Sequence, residues 1–305
     1  MTSGKKTRAG IKLKEYAGVA RANFLLLPFT LVAVGAAAAA FDGDFNLFNT
    51  LLASVGLVGL HVAVNALNEV SDFRRGIDLQ TERTPFSGGS GTLPAGALQP
   101  REGLGVAATG ALTGLAVAVY FLGAFGWRLV PIFLLGAVAT LGYSDFLARH
   151  YVGEFFAGLG LGALPVIGTA MVQAGNLGSA AIAASLPAFF MTFNLLLLNE
   201  FPDEEADQAG GRRSLLLLLG RPRAARLYVL LGLLTPASIA VAVALAHLPV
   251  LSLFAMLPSL LLLAPARWAL TTPAEPVPIP ALGANVVWNL STNTVLAICL
   301  VVAAS

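Results

Sequence analysis

Charged residues are scarce in this chain of 305 residues, which contains 18 lysine or arginine residues and 16 aspartate or glutamate residues. They make up 11% of the sequence, whereas about 25% of an average soluble domain is charged. The formal net charge of +2 is too small to indicate a nucleic-acid partner. The lack of charge therefore excludes an ordinary soluble protein and predicts no nucleic-acid binding.

Cysteine is almost absent, because Cys299 in the last apolar run is the single one. The chain therefore has neither a disulfide framework nor a cysteine metal site. Alternation of apolar and polar residues is also missing, and the continuous apolar runs do not fit a membrane barrel. The runs contain many of the 32 glycines and 17 prolines, which spanning helices tolerate. We expect a polytopic helical membrane protein.

Nine apolar runs approach the roughly 20 residues that a spanning helix needs. They cover residues 21–41, 48–70, 103–124, 128–144, 153–173, 178–200, 223–246, 248–266 and 281–304. The fourth and eighth runs are short, and the seventh and eighth are barely separated, so eight or ten spans remain open. The sequence predicts an all-α fold with nine transmembrane helices in a single domain over residues 1–305.

Lysine and arginine residues, which favour cytoplasmic loops, suggest an orientation. With a cytoplasmic N-terminus, 17 of the 18 basic residues, including Lys5 and Lys6, lie inside and only Arg128 lies outside. We expect an integral protein of the cell membrane with its C-terminus outside. A cleaved signal peptide is an alternative for the first run, but its apolar stretch exceeds the usual 7–15 residues, roughly, of such a signal.

Two connections on the inside face are long, residues 71–102 and 201–222. The first contains a Ser/Gly tract, Ser87–Gly91. Such a tract can form a backbone nest for phosphate, but a flexible connection is the favoured interpretation.

Acidic residues are concentrated where two apolar runs reach the inside face. Nine of the 16 lie in two windows: Glu69, Asp72, Asp78 and Glu82 in the first, and Glu200, Asp203, Glu204, Glu205 and Asp207 in the second. Both windows contain Asn-Glu-x-x-Asp, at residues 68–72 and 199–203. Residues four apart share a helix face, which predicts one ladder of Asn65, Asn68 and Asp72. A second ladder contains Asn199, Asp203 and Asp207, with Pro202 expected to break or restart the helix.

Several carboxylates around one cavity repel each other, and a charge inside the membrane costs about 2.5–3.5 kcal/mol. A compensating cation is therefore required. Mg²⁺ takes oxygen ligands and is usually held by carboxylates together with substrate phosphates. Arginines flank both windows: Arg74, Arg75, Arg83, Arg212 and Arg213. This combination indicates a metal-bridged diphosphate. Solvated loop charges are the alternative, which the repeated pattern disfavours.

The two motifs, their positions after the second and sixth runs, and the helix count resemble the UbiA-type intramembrane prenyltransferases over nearly the whole chain. The resemblance implies nine helices around a central cavity and transfer of an isoprenyl group from a prenyl diphosphate to an aromatic acceptor. It also implies two Mg²⁺ ions. The metal ligands would be Asn68, Asp72 and Asp78 in the first motif and Asn199, Asp203 and Asp207 in the second.

The same resemblance implies further roles. Arg212, in the Gly211–Ser214 stretch, would contact diphosphate, and Tyr143 would stand near the reacting carbon. The position of the flanking arginines and of Asn65 beside the motifs adds to these roles. The predicted sets are Asp72, Asp203, Arg149 and Tyr143 for catalysis, and Arg74, Arg75, Arg212, Arg213, Arg149 and Asn65 for diphosphate binding. Both motifs have Asn-Glu where the family usually has Asn-Asp, which leaves open whether Glu69 and Glu200 bind metal directly.

Asp78 lies ten residues after Asn68, with Gly76 at the eighth place, a layout that resembles the dihydroxynaphthoate polyprenyltransferases of menaquinone synthesis. Enzymes of hydroxybenzoate, chlorophyll, haem O and ether-lipid synthesis remain open. An ion-coupled transporter is the rival from another class, although transporter acids lie near the membrane midplane rather than at one face.

Three sets of polar residues in the predicted spans have two interpretations each. We expect His61 and the series Asn285, Asn289 and Asn293 to form interhelical hydrogen bonds. The alternatives are a general base for His61 and a pocket lining for the asparagines. Arg21, at the start of the first span, either faces the cavity or anchors the helix at the interface.

Overall fold

The computed structural model describes residues 8–305, and within that range the regular secondary structure is helical, without a strand. The basic residues Lys5 and Lys6 lie outside the described residues. The α-helices are α1 (Arg8–Val19), α2 (Leu26–Phe41), α3 (Leu47–Arg74), α4 (Pro100–Phe125), α5 (Val130–Leu141), α6 (Gly153–Gly158), α7 (Leu164–Ala174), α8 (Ser179–Ala209), α9 (Leu215–Leu219), α10 (Arg221–Ala244), α11 (Leu263–Thr271) and α12 (Ile279–Ala304). A π-helical turn, Leu159–Ala163, joins α6 to α7, and a 3₁₀ helix, Val250–Leu262, precedes α11.

Eight helical segments of the described chain are long and apolar enough to cross a membrane. They are Ala22–Phe41, Leu47–Arg74, Pro100–Leu141, Gly153–Gln173, Ser179–Ala209, Arg221–Ala244, Val250–Thr271 and Ile279–Ala304. All nine predicted runs fall on helices, but the count of nine is not confirmed. The predicted run 103–124 and most of the run 128–144 lie in one continuous segment of 42 residues, Pro100–Leu141.

Helix α8 continues through Pro202, so the expected break there is wrong. Proline removes one backbone hydrogen bond, but helices in membrane proteins tolerate this loss where neighbouring groups pack around the turn. The uninterrupted helix places Asn199, Asp203 and Asp207 on one face, at intervals of four residues.

Glycines allow α3 and α4 to pack closely. A Cβ atom at Gly59 would lie 2.8 Å from the carbonyl oxygen of Gly110. A Cβ atom at Gly110 would lie 2.9 Å from the backbone nitrogen of Ala63. Small residues of this kind are typical of helix contacts in membranes. The contact packs α3, whose end carries the first motif, against the helix that follows the motif's loop.

Polar side chains join α8 to its neighbours in the apolar core. Asn194 donates to the backbone carbonyl of Tyr228 at 2.9 Å, and Asn285 donates to the carbonyl of Asn194 at 3.2 Å. The Tyr228 hydroxyl donates to Asn285 Oδ1 at 3.0 Å. These bonds connect α8, α10 and α12, so Asn285 makes the interhelical contacts expected of it.

Candidate active site

A cavity opens where α3 and α8 end, and both acidic motifs contribute to its wall. Nine of the predicted site residues line it: Asn65, Asn68, Asp72, Asp78, Tyr143, Asn199, Asp203, Asp207 and Arg212. The deeper wall is mostly apolar, with Leu27, Leu161, Leu195, Leu196 and Leu290. The cavity therefore combines an acidic end with a hydrocarbon-like interior.

The first motif places two ligand-type side chains one helical turn apart on α3. Asn68 Nδ2 donates to Asp72 Oδ2 at 2.8 Å, and Asp72 is 5% exposed. Asp78 follows in the turn after α3 and is also buried. Burial raises the pKa of Asp78 to about 7, with a further contribution from the charges of Asp72 and Glu69. This end of the cavity therefore has an excess of negative charge.

The second motif presents its oxygens from α8. Asp203 Oδ2 accepts a hydrogen bond from the backbone N–H of Gly88 at 3.2 Å. Among residues 8–305, four buried motif oxygens have no hydrogen-bond partner: Asp78 Oδ2, Asn199 Oδ1, Glu200 Oε2 and Asp203 Oδ1. Buried polar atoms usually have partners, so these oxygens indicate a place for a cation.

Arg212 connects the two motifs. Its Nη2 atom lies 2.6 Å from both Asn68 Oδ1 and Asp72 Oδ1, and its Nε atom lies 3.6 Å from Asp207 Oδ1. Burial alone would lower the pKa of Arg212, but the carboxylates of Asp72 and Asp207 outweigh it and raise the pKa. The turn after α8 positions the side chain through Gly211, whose φ of 79° favours glycine.

The Ser/Gly tract folds against the motifs instead of forming a free connection. Ser90 N donates to Glu69 Oε1 at 2.9 Å, and the Ser90 hydroxyl also donates to that carboxylate. Arg21 Nε lies 3.4 Å from Glu69 Oε2. Glu69 is thereby enclosed and does not line the cavity, whereas Glu200 does. The flexible connection favoured from sequence is not what the structure shows.

Four predicted arginines lie outside the cavity lining: Arg74, Arg75, Arg149 and Arg213. Arg75 instead pairs with Asp145 at 2.8 Å. Arg74, Arg149 and Arg213 are exposed, and the backbone of Arg213 bonds to the loop residues Ala148 and Tyr151. Proximity in sequence to an acidic motif does not determine which side of a turn an arginine occupies.

The structure adds residues to the cavity that were not in the predicted site. Arg21 lines it, which decides between its two interpretations in favour of the cavity. Asn23, His61, Thr192 and Asn289 line it as well. The sequence did contain a signal for two of these residues. His61 and Thr192 each lie eleven residues before a motif aspartate, which places them on the helix faces that carry the motifs.

The donor atoms fit a divalent cation such as Mg²⁺, because all are carboxylate or amide oxygens. Within residues 8–305, however, no three His, Cys, Asp or Glu side chains already converge around one point as metal ligands. Arg212 lies between Asp72 and Asp207 and supplies positive charge there. The ligand set is thus suitable in chemistry but not drawn together around a metal.

Known proteins resemble this chain in sequence and in fold. A 1,4-dihydroxy-2-naphthoate octaprenyltransferase of Bacillus subtilis is 27% identical over 210 residues, which cover 68% of this chain and 66% of that protein. The match thus spans slightly less than two thirds of the relative.

Two solved structures share the fold. The apo structure of a UbiA homologue from Aeropyrum pernix K1 superposes with a TM-score of 0.69 at 18% identity, covering 90% of this chain and 97% of that one. A UbiA homologue from Archaeoglobus fulgidus bound to GPP and Mg²⁺ gives 0.66 at 17% identity, covering 93% and 99%. The model of the UbiA prenyltransferase family matches residues 26–302. With helices suited to a bilayer and this match over most of its length, the chain is an integral membrane protein that belongs to the UbiA prenyltransferase family.

Proposed function

We propose that this protein transfers an isoprenyl group from a prenyl diphosphate to an aromatic acceptor in a reaction that depends on two Mg²⁺ ions. One observation carries the proposal: two rows of carboxylate and amide oxygens, joined by Arg212, face each other at one end of an otherwise apolar cavity. The relative from Archaeoglobus fulgidus, which binds GPP and Mg²⁺, supports it.

The proposed donor site divides the ligands between the two ions. Asn68, Asp72 and Asp78 would hold one ion, and Asn199, Asp203 and Asp207 the other. Bound Mg²⁺ would neutralise the charge that develops on the diphosphate as it leaves. Arg212 would donate hydrogen bonds to the oxygens of the bound diphosphate, in place of one of its present contacts with a carboxylate.

The apolar wall would surround the isoprenyl carbocation and shield it from water. The allylic C–O bond breaks with its electron pair on diphosphate, and a ring carbon of the acceptor supplies the pair for the new C–C bond. Leu161, Leu195 and Leu196, which line this space, would exclude water from it. Tyr143, which is buried beside the acidic end, is the proposed neighbour of the reacting carbon.

A naphthoate is the proposed acceptor, which gives the protein a place in menaquinone-type quinone synthesis. The octaprenyltransferase relative and the ten-residue spacing from Asn68 to Asp78 favour this class over a hydroxybenzoate. Loss of carbon dioxide would then accompany transfer. An ion-coupled transporter has no specific support, because the acidic residues lie at helix ends rather than in the middle of spans.

We also propose nine spans in a single domain, with the acidic end of the cavity on the cytoplasmic side of the cell membrane. Helices α4 and α5, separated by the turn at Gly126 (φ 76°), both line a second, apolar cavity together with the middle of α3. If α4 and α5 are separate spans that both reach α3, this shared lining is accounted for. The distribution of basic residues supports a cytoplasmic N-terminus and an external C-terminus.

The test is a transfer assay on the purified full chain. Radiolabelled prenyl diphosphates are supplied with Mg²⁺ and a panel that contains naphthoate and hydroxybenzoate acceptors. We expect a prenylated naphthoate whose formation stops when EDTA removes the metal. The absence of product with every acceptor, together with diphosphate binding that EDTA does not change, would overturn the proposal.

A further inference from the structure

Three buried polar side chains line the deep part of the cavity and have atoms without hydrogen-bond partners among residues 8–305. The atoms are His61 Nε2, Thr192 Oγ1 and Asn289 Nδ2. Their residues are 4%, 3% and 1% exposed, respectively. Each comes from a different helix, α3, α8 or α12. A set of unpaired polar atoms in an apolar wall is unfavourable unless a ligand or water satisfies it.

The cluster lies at a defined depth below the acidic end. His61 precedes Asp72 by eleven residues on α3, and Thr192 precedes Asp203 by eleven residues on α8. At 1.5 Å per helical residue, both lie about 16 Å from the level of the aspartates. Apolar residues, including Val64 and Leu195, line the cavity between the two levels. The polar cluster is thus separate from the aspartates of both motifs, and Asn65, one turn from His61 on α3, lies between the two levels.

The hydrogen-bonding capacity of His61 follows from its contact within α3. His61 Nδ1 lies 3.1 Å from the carbonyl oxygen of Leu57, which can only accept a hydrogen bond. Nδ1 therefore carries the proton, and Nε2 of the neutral ring is an acceptor. The ring offers an acceptor to whatever occupies the deep cavity.

Asn289 offers the complementary group. Its Oδ1 accepts a hydrogen bond from Asn293 Nδ2 at 2.9 Å, which leaves its amide N–H groups as donors. The Thr192 hydroxyl can donate or accept. The His61 acceptor, the Asn289 donor and the Thr192 hydroxyl together match a neutral ligand group that donates at least one hydrogen bond and accepts at least one.

We propose that His61, Thr192 and Asn289 form a subsite that binds a phenolic hydroxyl of the aromatic acceptor. This inference rests on the proposed function and adds the feature by which the acceptor is recognised. A carboxylate does not fit the subsite, because the arginines that line the cavity, Arg21 and Arg212, contact Glu69 and Asp72 at the other end. An isoprenyl chain does not fit either, because it has no polar atom to satisfy the three groups.

The depth of the cluster suits this role. A diphosphate bound at the aspartates, followed by the reacting carbon and one aromatic ring system, would bring a hydroxyl on the far side of the ring into the deep cavity. The hydroxyl O–H would donate to His61 Nε2, and its oxygen would accept from Asn289 or Thr192. The ring would then be oriented with one edge toward the reacting carbon.

The experiment compares two probes on the purified full chain under anaerobic conditions. The probes are 1,4-dihydroxy-2-naphthoate and 2-naphthoate, which lacks both hydroxyls, and their Kd values are measured by calorimetry with Mg²⁺ and inorganic diphosphate present. Thr192→Val removes the hydroxyl at nearly constant volume, and Thr192→Ser restores it. Thr235→Val is the matched control, because Thr235 is buried on α10 and does not line the cavity.

We expect Thr192→Val to raise the Kd of the dihydroxy probe by about 5- to 30-fold, the usual effect of losing one buried hydrogen bond. The Kd of 2-naphthoate and the binding of prenyl diphosphate stay unchanged, and Thr192→Ser recovers discrimination. His61→Phe gives the same pattern. Equal losses for both probes, or none, would overturn the subsite while leaving transfer by the wild type intact. Failure of the proposed function would appear instead as a wild type that makes no product.

Discussion

The guanidinium of Arg212 lies 2.6 Å from the carboxylate of Asp72, which joins the loop after α8 to the end of α3. Arg212 also lies 3.6 Å from Asp207. One side chain therefore balances carboxylates of both motifs. A metal and a diphosphate would have to share or replace these contacts, which couples the binding of both to the position of this residue.

A replacement of Arg212 tests whether a metal can supply the positive charge that this side chain provides between the motifs. Arg212→Gln leaves Asp72 and Asp207 without their cation, and breaking a buried pair commonly costs about 3–5 kcal/mol. We expect a lower unfolding temperature in EDTA and a larger rise on adding Mg²⁺ than in the wild type, because the metal then supplies the missing charge. Thermal unfolding with and without Mg²⁺ measures this.

Arg213→Gln is the control for that comparison, because Arg213 is adjacent but exposed and outside the cavity lining. Its response to Mg²⁺ should equal that of the wild type. A response of Arg212→Gln that is no larger than that of the control would contradict the proposed position of the metal between the motifs.

The Ser/Gly tract gives a second prediction. Gly89 has a φ of 70°, and a Cβ atom there would lie 2.8 Å from the carboxylate oxygens of Asp78. Gly96 has a similar φ of 66° with no atom within 4 Å of such a Cβ. Both Gly89→Ala and Gly96→Ala carry the backbone strain of a positive φ, about 1–3 kcal/mol. Only Gly89→Ala displaces Asp78, so we expect it alone to weaken Mg²⁺ binding, by about tenfold or more.

Titration with Mg²⁺, followed by thermal shift at a fixed pH, measures the two affinities. Equal Mg²⁺ affinity in Gly89→Ala and Gly96→Ala would show that the tract does not support the metal site.

The charge state of Asp78 predicts a dependence of stability on pH. Its pKa is raised to about 7, above the value of 3.8 expected for an unperturbed aspartate. Between these values the folded protein holds a proton that the unfolded chain has lost, so rising pH favours unfolding. We expect the unfolding temperature of the metal-free protein to fall from about pH 4 to pH 7 and to level off above that.

Asp78→Asn should make this profile shallower, because the amide does not titrate. Stability measured in EDTA across the pH range gives the comparison. A slope that is the same in Asp78→Asn and the wild type would assign the pH dependence to other groups.

The regular parts of this protein were predictable from its sequence. Continuous apolar runs determine helices in a membrane, and the four-residue spacing of Asn199, Asp203 and Asp207 places them on one face whether or not Pro202 intervenes. The convergence of the two motifs on one cavity followed from their repetition and from the family resemblance.

Irregular segments were less predictable, because their side chains depend on long-range contacts. Arg149 and Arg213 lie near the motifs in space or sequence, yet turn geometry leaves them exposed. Backbone N–H groups of the Ser/Gly tract donate hydrogen bonds to Glu69 of the first motif and to Asp203 of the second. Both carboxylates are distant from the tract in sequence. The composition of the tract does not predict contacts of this kind.

The central claim, metal-dependent prenyl transfer by these motifs, is tested most directly by one matched pair of variants. Asp203 and Glu205 lie two residues apart on α8, about 200° around the helix, and Glu205 is exposed. Single-turnover transfer from a radiolabelled prenyl diphosphate to 1,4-dihydroxy-2-naphthoate is measured with saturating Mg²⁺. We predict that Asp203→Asn lowers the rate by about 100-fold or more, as expected when a group that stabilises the transition state is lost, and that Glu205→Gln retains the wild-type rate. Equal rates in the two variants would contradict the account.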